Sequence, residues 1–140
     1  MSAIKDHVQI NTTPDEAYAA LSTQSGYRGW WSKDCQIAAE IGGESQLRFD
    51  KEGNIVTMRF RSDELEPNRR IAWTCVAHDM PSWVGTTLSW TISETSGGVR
   101  VALVHDGWKM ETPPDMVIQG WKHFLGSMKQ YLETGTGQPW

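Results

Sequence analysis

The chain has 140 residues, with 17 acidic side chains against 13 basic ones and a formal net charge of −4. That length predicts one domain over residues 1–140, burying somewhat under ~70% of its unfolded surface without staples. The acidic balance and the lack of any basic run argue against nucleic acid or anionic membrane partners, and no apolar run could insert in a bilayer or serve as a signal peptide, so a cytoplasmic protein is expected.

Taken in order, Ile4, Val8 and Ile10 share one parity and Lys5, His7 and Gln9 the other, which predicts a half-buried first strand with His7 in solvent. Thr13-Pro14-Asp15-Glu16 reads as a capping box with proline at the first helical position. A short helix should follow, end at Gly26, and give way to a second one over Tyr27 to Trp31. On either a helix or a strand, adjacent Trp30 and Trp31 are expected to face different ways, one toward the core and one toward a pocket rim.

From Cys35 to Asp106 the pattern is that of strands. Leu47 and Phe49 alternate with polar neighbours, then Lys51-Glu52-Gly53-Asn54 signals a hairpin. Val56, Met58 and Phe60 form the next alternation, and Glu66-Pro67-Asn68 turns the chain again. Ile71, Trp73, Cys75 and Ala77 share a face, as do Leu88, Trp90 and Ile92. Gly97-Gly98 makes a tight turn into Val99, Val101, Leu103 and His105, and Gly107 is expected to end that strand.

The last helix is predicted from Pro113 to about Leu132, with Thr112 as its cap and Gly135 as its left-handed stop. At 100° per residue, Val117, Ile118, Trp121, Phe124, Leu125, Met128, Tyr131 and Leu132 fall in an arc of roughly 140°. Gln119, Lys122 and His123 lie opposite. Strands joined by hairpins and helices kept apart from them predict an α+β fold. In it, a curved antiparallel sheet of about six to seven strands wraps one long C-terminal helix, with two short helices after the first strand.

Three stretches carry a family likeness: Gly29-Trp30-Trp31-Ser32, the strand end Val101 to Trp108 (VALVHDGW), and the helix from Gly120-Trp121 through Leu132 to Gly135. On these, and on the order of elements over nearly the whole chain, the sequence resembles the START-like, or SRPBCC, superfamily with its helix-grip fold. Within it the likeness is nearest to the domain homologous to the activator of heat-shock-protein-90 ATPase. The resemblance implies a cavity rather than one chemistry, since the superfamily includes lipid and hormone binders, aromatase/cyclases and a chaperone co-factor domain.

Parity turns Met58, Phe60, Trp73, Leu88, Trp90, Val101 and Leu103 toward the helix, where Trp121, Phe124 and Met128 face them. This set is expected to wall a ligand cavity, with Trp30 or Trp31 at its mouth. His105 shares the inward parity and is the one candidate for moving a proton; otherwise it is a satisfied histidine near the last helix. His78 and Asp79 are assigned to a strand end or loop. No nucleophile elbow, phosphate-binding glycine loop or zinc spacing is present, and Cys35 and Cys75 read as free buried thiols, so neither a metal nor a cofactor is expected.

The first reading is therefore a module binding a small hydrophobic or aromatic molecule, as monomer or homodimer. The resemblance implies two alternatives: a chaperone-interaction domain with a place in the stress response, or a polyketide cyclase/aromatase-like enzyme using His105.

Overall fold

The computed structural model describes residues 2–140, with the backbone alone at Ser2. Among them seven strands form one antiparallel sheet: β1 (Ser2–Ile10), β2 (Asp34–Gln36), β3 (Glu44–Lys51), β4 (Asn54–Glu66), β5 (Arg70–His78), β6 (Thr87–Thr95) and β7 (Gly98–Trp108). Their spatial order is β1-β7-β6-β5-β4-β3-β2, a hairpin meander from β2 to β7 with β1 paired to the far side of β7. The helices are α1 (Pro14–Ser22), α2 (Gln24–Trp30) and α3 (Asp115–Thr134), and a single 3-10 turn covers Pro81–Trp83. This is the α+β architecture expected from the patterning, and the helix-grip fold that the resemblance implies.

The period-2 alternation fixes which face is buried. Leu47, Phe49, Met58, Phe60, Ile71, Trp73, Cys75, Leu88, Trp90, Val99, Val101 and Leu103 all lie in the core, and their strand neighbours face outward or lie at its margin. On α3 the buried residues are Val117, Trp121, Leu125, Ser127 and Met128, with Ile118, Phe124, Tyr131 and Leu132 half covered around them. Gly135 ends the helix at φ 89° and returns its N–H to the Tyr131 carbonyl.

Four local expectations need correction. The break between α1 and α2 falls at Thr23, not Gly26. The Thr23 N–H closes α1 on the Ala19 carbonyl, and its hydroxyl accepts from the Gly26 N–H to open α2. Gly26 lies inside α2 because α1 crosses it closely; a Cβ there would meet the Ala19 carbonyl at 2.5 Å. The last helix starts at Asp115 rather than Pro113, and Thr112 does not cap it. A residue before proline is driven out of the helical region, so Pro113 stays outside, and Pro114 holds the cap position with an extended ψ of 132°.

Gly107 lies within β7 instead of ending it. At φ 88° it forms part of a bulge where the β1–β7 register slips between Ser2 and Ile4, which lets Trp108 turn inward three residues after His105. Trp30 and Trp31 are both buried, at 0% and 2% exposure. One inward and one rim side chain is the pattern of a helix covered on one side; α2 is enclosed by α1, α3 and β2, so adjacent side chains both find cover. Trp30 donates its indole N–H to the Ala20 carbonyl at 2.8 Å, while Trp31 packs against α3.

The backbone of α3 approaches β1, α1 and α2 rather than the middle strands. Lys129 Nζ donates to the Gln9 carbonyl, Glu133 accepts from the Asn11 N–H, and Ser127 donates to the Trp30 carbonyl. Toward β3–β6, aromatic rings span the gap. Trp31 meets Trp121 at 5.1 Å, Trp90 meets Trp121 edge-on at 5.6 Å, and Phe49 meets Phe124 at 6.3 Å between ring centroids.

Candidate functional site

The aromatic filling stops short at one end. Between the β3–β4 hairpin, the segment from His78 to Trp83 and the first turns of α3 lies an apolar cleft of about 390 Å³. Trp31, Phe49, Met58, Trp121 and Phe124 line its inner part; Val56, Met80, Trp83, Met116 and Val117 extend the wall. That volume is in the range that encloses a small organic molecule. Gly120 also lines it, and a Cβ built there would meet nothing within 4 Å, so a glycine in mid-helix leaves space where another residue would project. The tail from Gly135 turns back across α2: the Trp140 N–H bonds to the Trp31 carbonyl and its indole donates to the Asp50 carbonyl, placing that ring at the mouth. A second depression of about 790 Å³ beyond Trp140 is an open surface of mixed charge, including the Arg48–Asp34 pair at 3.5 Å.

Polar groups on the cleft wall are few. His78 ends β5 and stacks on Trp83 with centroids 4.4 Å apart. Its Nδ1 accepts from the Met80 N–H at 2.8 Å, and a backbone N–H can only donate, so the ring is neutral with its proton on Nε2. Burial pulls its pKa down to about 4, with Asp79 opposing and Lys51 adding to the fall. Three buried side-chain polar atoms lack a partner among the described residues: His78 Nε2, Trp83 Nε1 and Trp90 Nε1. An orphaned donor of this kind costs about 1–3 kcal/mol. Trp90 is perpendicular to Trp30 and Trp121 in the packed core, outside the cleft lining. The other two donors belong to the stacked pair bordering the cleft. Lys51, Gln119 and His123 complete the polar lining, and no Asp or Glu takes part in it.

His105 lies outside that lining, fully buried and fully engaged. The Trp121 indole donates to its Nδ1 at 3.1 Å, and its Nε2–H donates to Thr86 Oγ1 at 3.0 Å; that hydroxyl donates on to the Trp83 carbonyl at 2.7 Å. The direction of the chain is fixed, because an indole only donates and a carbonyl only accepts. Burial pulls the His105 pKa down to about 3, helped by nearby His78. Neither nitrogen is free to move a proton. His105 instead fastens α3 to β7 and to the loop carrying Trp83.

Of the residues expected on the cavity wall, the structure places Trp31, Met58, Trp121 and Phe124 there. Trp30, Phe60, Trp73, Leu88, Trp90, Val101, Leu103 and Met128 are packed core, as is His105, because the middle of the gap is filled. Sequence reasoning did not assign Phe49, Lys51, Val56, His78, Met80, Trp83, Met116, Val117, Gln119, Gly120, His123 or Trp140 to the cleft. Phe49 and Val56 were within reach of it, since their parity matches Leu47 and Met58. Trp83 and Trp140 lie in a turn and a tail, where no periodicity sets direction. Burial pushes the Cys75 thiol up to about 11 and raises Cys35, so neither is a ready nucleophile. No group of three metal-ligating side chains gathers among the described residues.

The family model described as "Activator of Hsp90 ATPase homolog 1-like protein" matches residues 11–133. The chain belongs to this AHSA1-like family. An Aha1 dimer from Colwellia psychrerythraea is 31% identical with a TM-score of 0.80, covering 98% of this chain and 100% of that one. A protein from Chromobacterium violaceum is 22% identical with a TM-score of 0.83, over 95% of this chain and 99% of that one. DynU16, from the dynemicin biosynthetic locus, is 18% identical with a TM-score of 0.77, over 98% of this chain and 49% of that one. The last two likenesses show the fold alone. No curated protein matches the AHSA1-like chain significantly. No helix among its described residues is long and apolar enough to cross a membrane.

Proposed function

We propose that this AHSA1-like domain binds a small apolar or aromatic molecule in the cleft between the β3–β4 hairpin and the start of α3. The observation that carries the reading is the open aromatic end of an otherwise filled sheet–helix gap, with Gly120 leaving space on the helix side. A glycine in a helix interior costs about 1 kcal/mol relative to alanine, a cost set here against an open cleft. The test is a titration of labelled protein with a panel of aromatic and aliphatic probes, followed through amide and indole N–H resonances. Shifts at Trp83, Trp121 and Phe124 support the reading; shifts confined to the outer sheet face across the panel remove it.

The 31% identity to an Aha1 dimer supports a second reading, a contact with a chaperone or with a second copy of this chain. ATPase stimulation of the host's Hsp90-type chaperone, unaffected by substitutions in the cleft, would favour it over the first. The cyclase alternative loses its candidate acid or base, because both nitrogens of His105 are occupied.

A further inference from the structure

We propose that the occupant of the cleft is an apolar acid, whose anionic oxygens sit at the corner formed by Lys51, His78 and Trp83 and whose hydrocarbon body lies against Trp31, Trp121 and Phe124. The inference rests on the small-molecule reading above and adds the chemical class. Two independent observations carry it.

The first is charge. The chain has more acidic than basic side chains, yet the cleft wall includes Lys51 and no carboxylate. Asp79, next to His78 in sequence, is outside the lining and its Oδ2 accepts from the Thr57 N–H at 3.0 Å. Lys51 and His78 both line the cleft, and the Lys51 ammonium is 5.0 Å from the Trp140 ring centroid at the mouth; at His78 itself the Asp79 carboxylate acts more strongly than Lys51 and in the opposite sense. A cation beside a low-dielectric wall attracts an anion far better than one in open water.

The second is donor count. The Met80 N–H occupies His78 Nδ1, which leaves Nε2–H as a donor with nothing to accept it, and Trp83 Nε1–H is in the same state. Both rings carry a donor and neither carries an acceptor; the two N–H groups are sealed from solvent, so an occupant meets them as the stacked pair turns, and the complementary group is an oxygen with lone pairs, which Lys51 favours as an anion. An amine would meet one like charge and two donors; a hydrocarbon would leave both donors as they are.

The probes are 2-naphthoate, 2-naphthalenemethanol and 2-naphthylmethylammonium, alike in body and different in head group, titrated calorimetrically into the whole chain. The expected order is naphthoate tightest, by about tenfold over the alcohol, with the ammonium weakest. Lys51→Met lies on the exposed hairpin, and His78→Asn keeps an acceptor for the Met80 N–H. Each is expected to remove most of the naphthoate's advantage over the alcohol. Equal affinities for all three probes, or an ammonium that binds best, overturn the acid assignment and leave the small-molecule reading standing. Failure of every probe to bind at millimolar concentration overturns both.

Discussion

Trp121 donates its indole N–H to His105 Nδ1 across 3.1 Å, so the long helix is fastened to the last strand beside the floor of the cleft. The same Trp121 ring lines the cleft, and the same His105 ring touches Trp83 at 4.8 Å on the opposite wall. Two walls of the cleft are thus held by one buried hydrogen-bond chain.

Truncating that chain should be expensive. Trp121→Ala is expected to lose about 3–5 kcal/mol, as large aromatic deletions in cores do. Trp121→Phe keeps much of the ring but leaves His105 Nδ1 without a donor, and should lose about 1–3 kcal/mol. Urea denaturation checks both; a loss under 1 kcal/mol for Trp121→Ala would mean the helix does not depend on this contact.

His105 also sets an acid limit. Its folded pKa lies near 3, below the ordinary 6.5, so the unfolded chain binds the proton first. Its stabilising contribution is complete above about pH 6.5 and is lost as pH falls toward 3, at up to about 1.4 kcal/mol per pH unit. Between pH 7 and pH 5 the native chain should lose about 2 kcal/mol through this group, with His78 acting in the same direction. His105→Gln, less stable at pH 7, should show a flatter profile over that window. An unchanged slope would show that His105 is not buried in its neutral form.

Gly120 and Gly126 separate folding from binding. Both are interior to α3, and a Cβ at either meets nothing within 4 Å. Gly120→Ala and Gly126→Ala should each add up to about 1 kcal/mol of stability from helix propensity. Gly120→Leu should fill the cleft and weaken 2-naphthoate binding by about tenfold or more, an effect Gly126→Leu should lack, since Gly126 is outside the lining. Equal effects of the two leucines on binding would place the ligand elsewhere.

Much of the fold was legible in the sequence, because a strand's period of two and a helix's 3.6 both record which side is buried. The inward parity of His105 and the stripe on α3 followed from that rule alone. What was not legible depended on distances between elements. Whether Trp73 or Phe49 borders open space is decided by how far α3 lies from each strand, and α3 leans toward β1. The joint burial of Trp30 and Trp31 likewise required knowing that α2 is enclosed on several sides. Trp83 and Trp140 belong to a turn and a tail whose direction is set by hydrogen bonds to remote carbonyls.

The cleft methionines allow the occupant to be located. Met58, Met80 and Met116 line the cleft, Met116 at its exposed edge, while Met128 lies in the packed core and Met110 is outside the lining and exposed. With methyl-labelled methionine and 2-naphthoate, intermolecular NOEs should join the naphthyl protons to the Met58 and Met80 methyls and not to Met128 or Met110. NOEs to Met110 alone, or none to Met58 and Met80 at saturating probe, would contradict an aromatic cleft that receives a ligand.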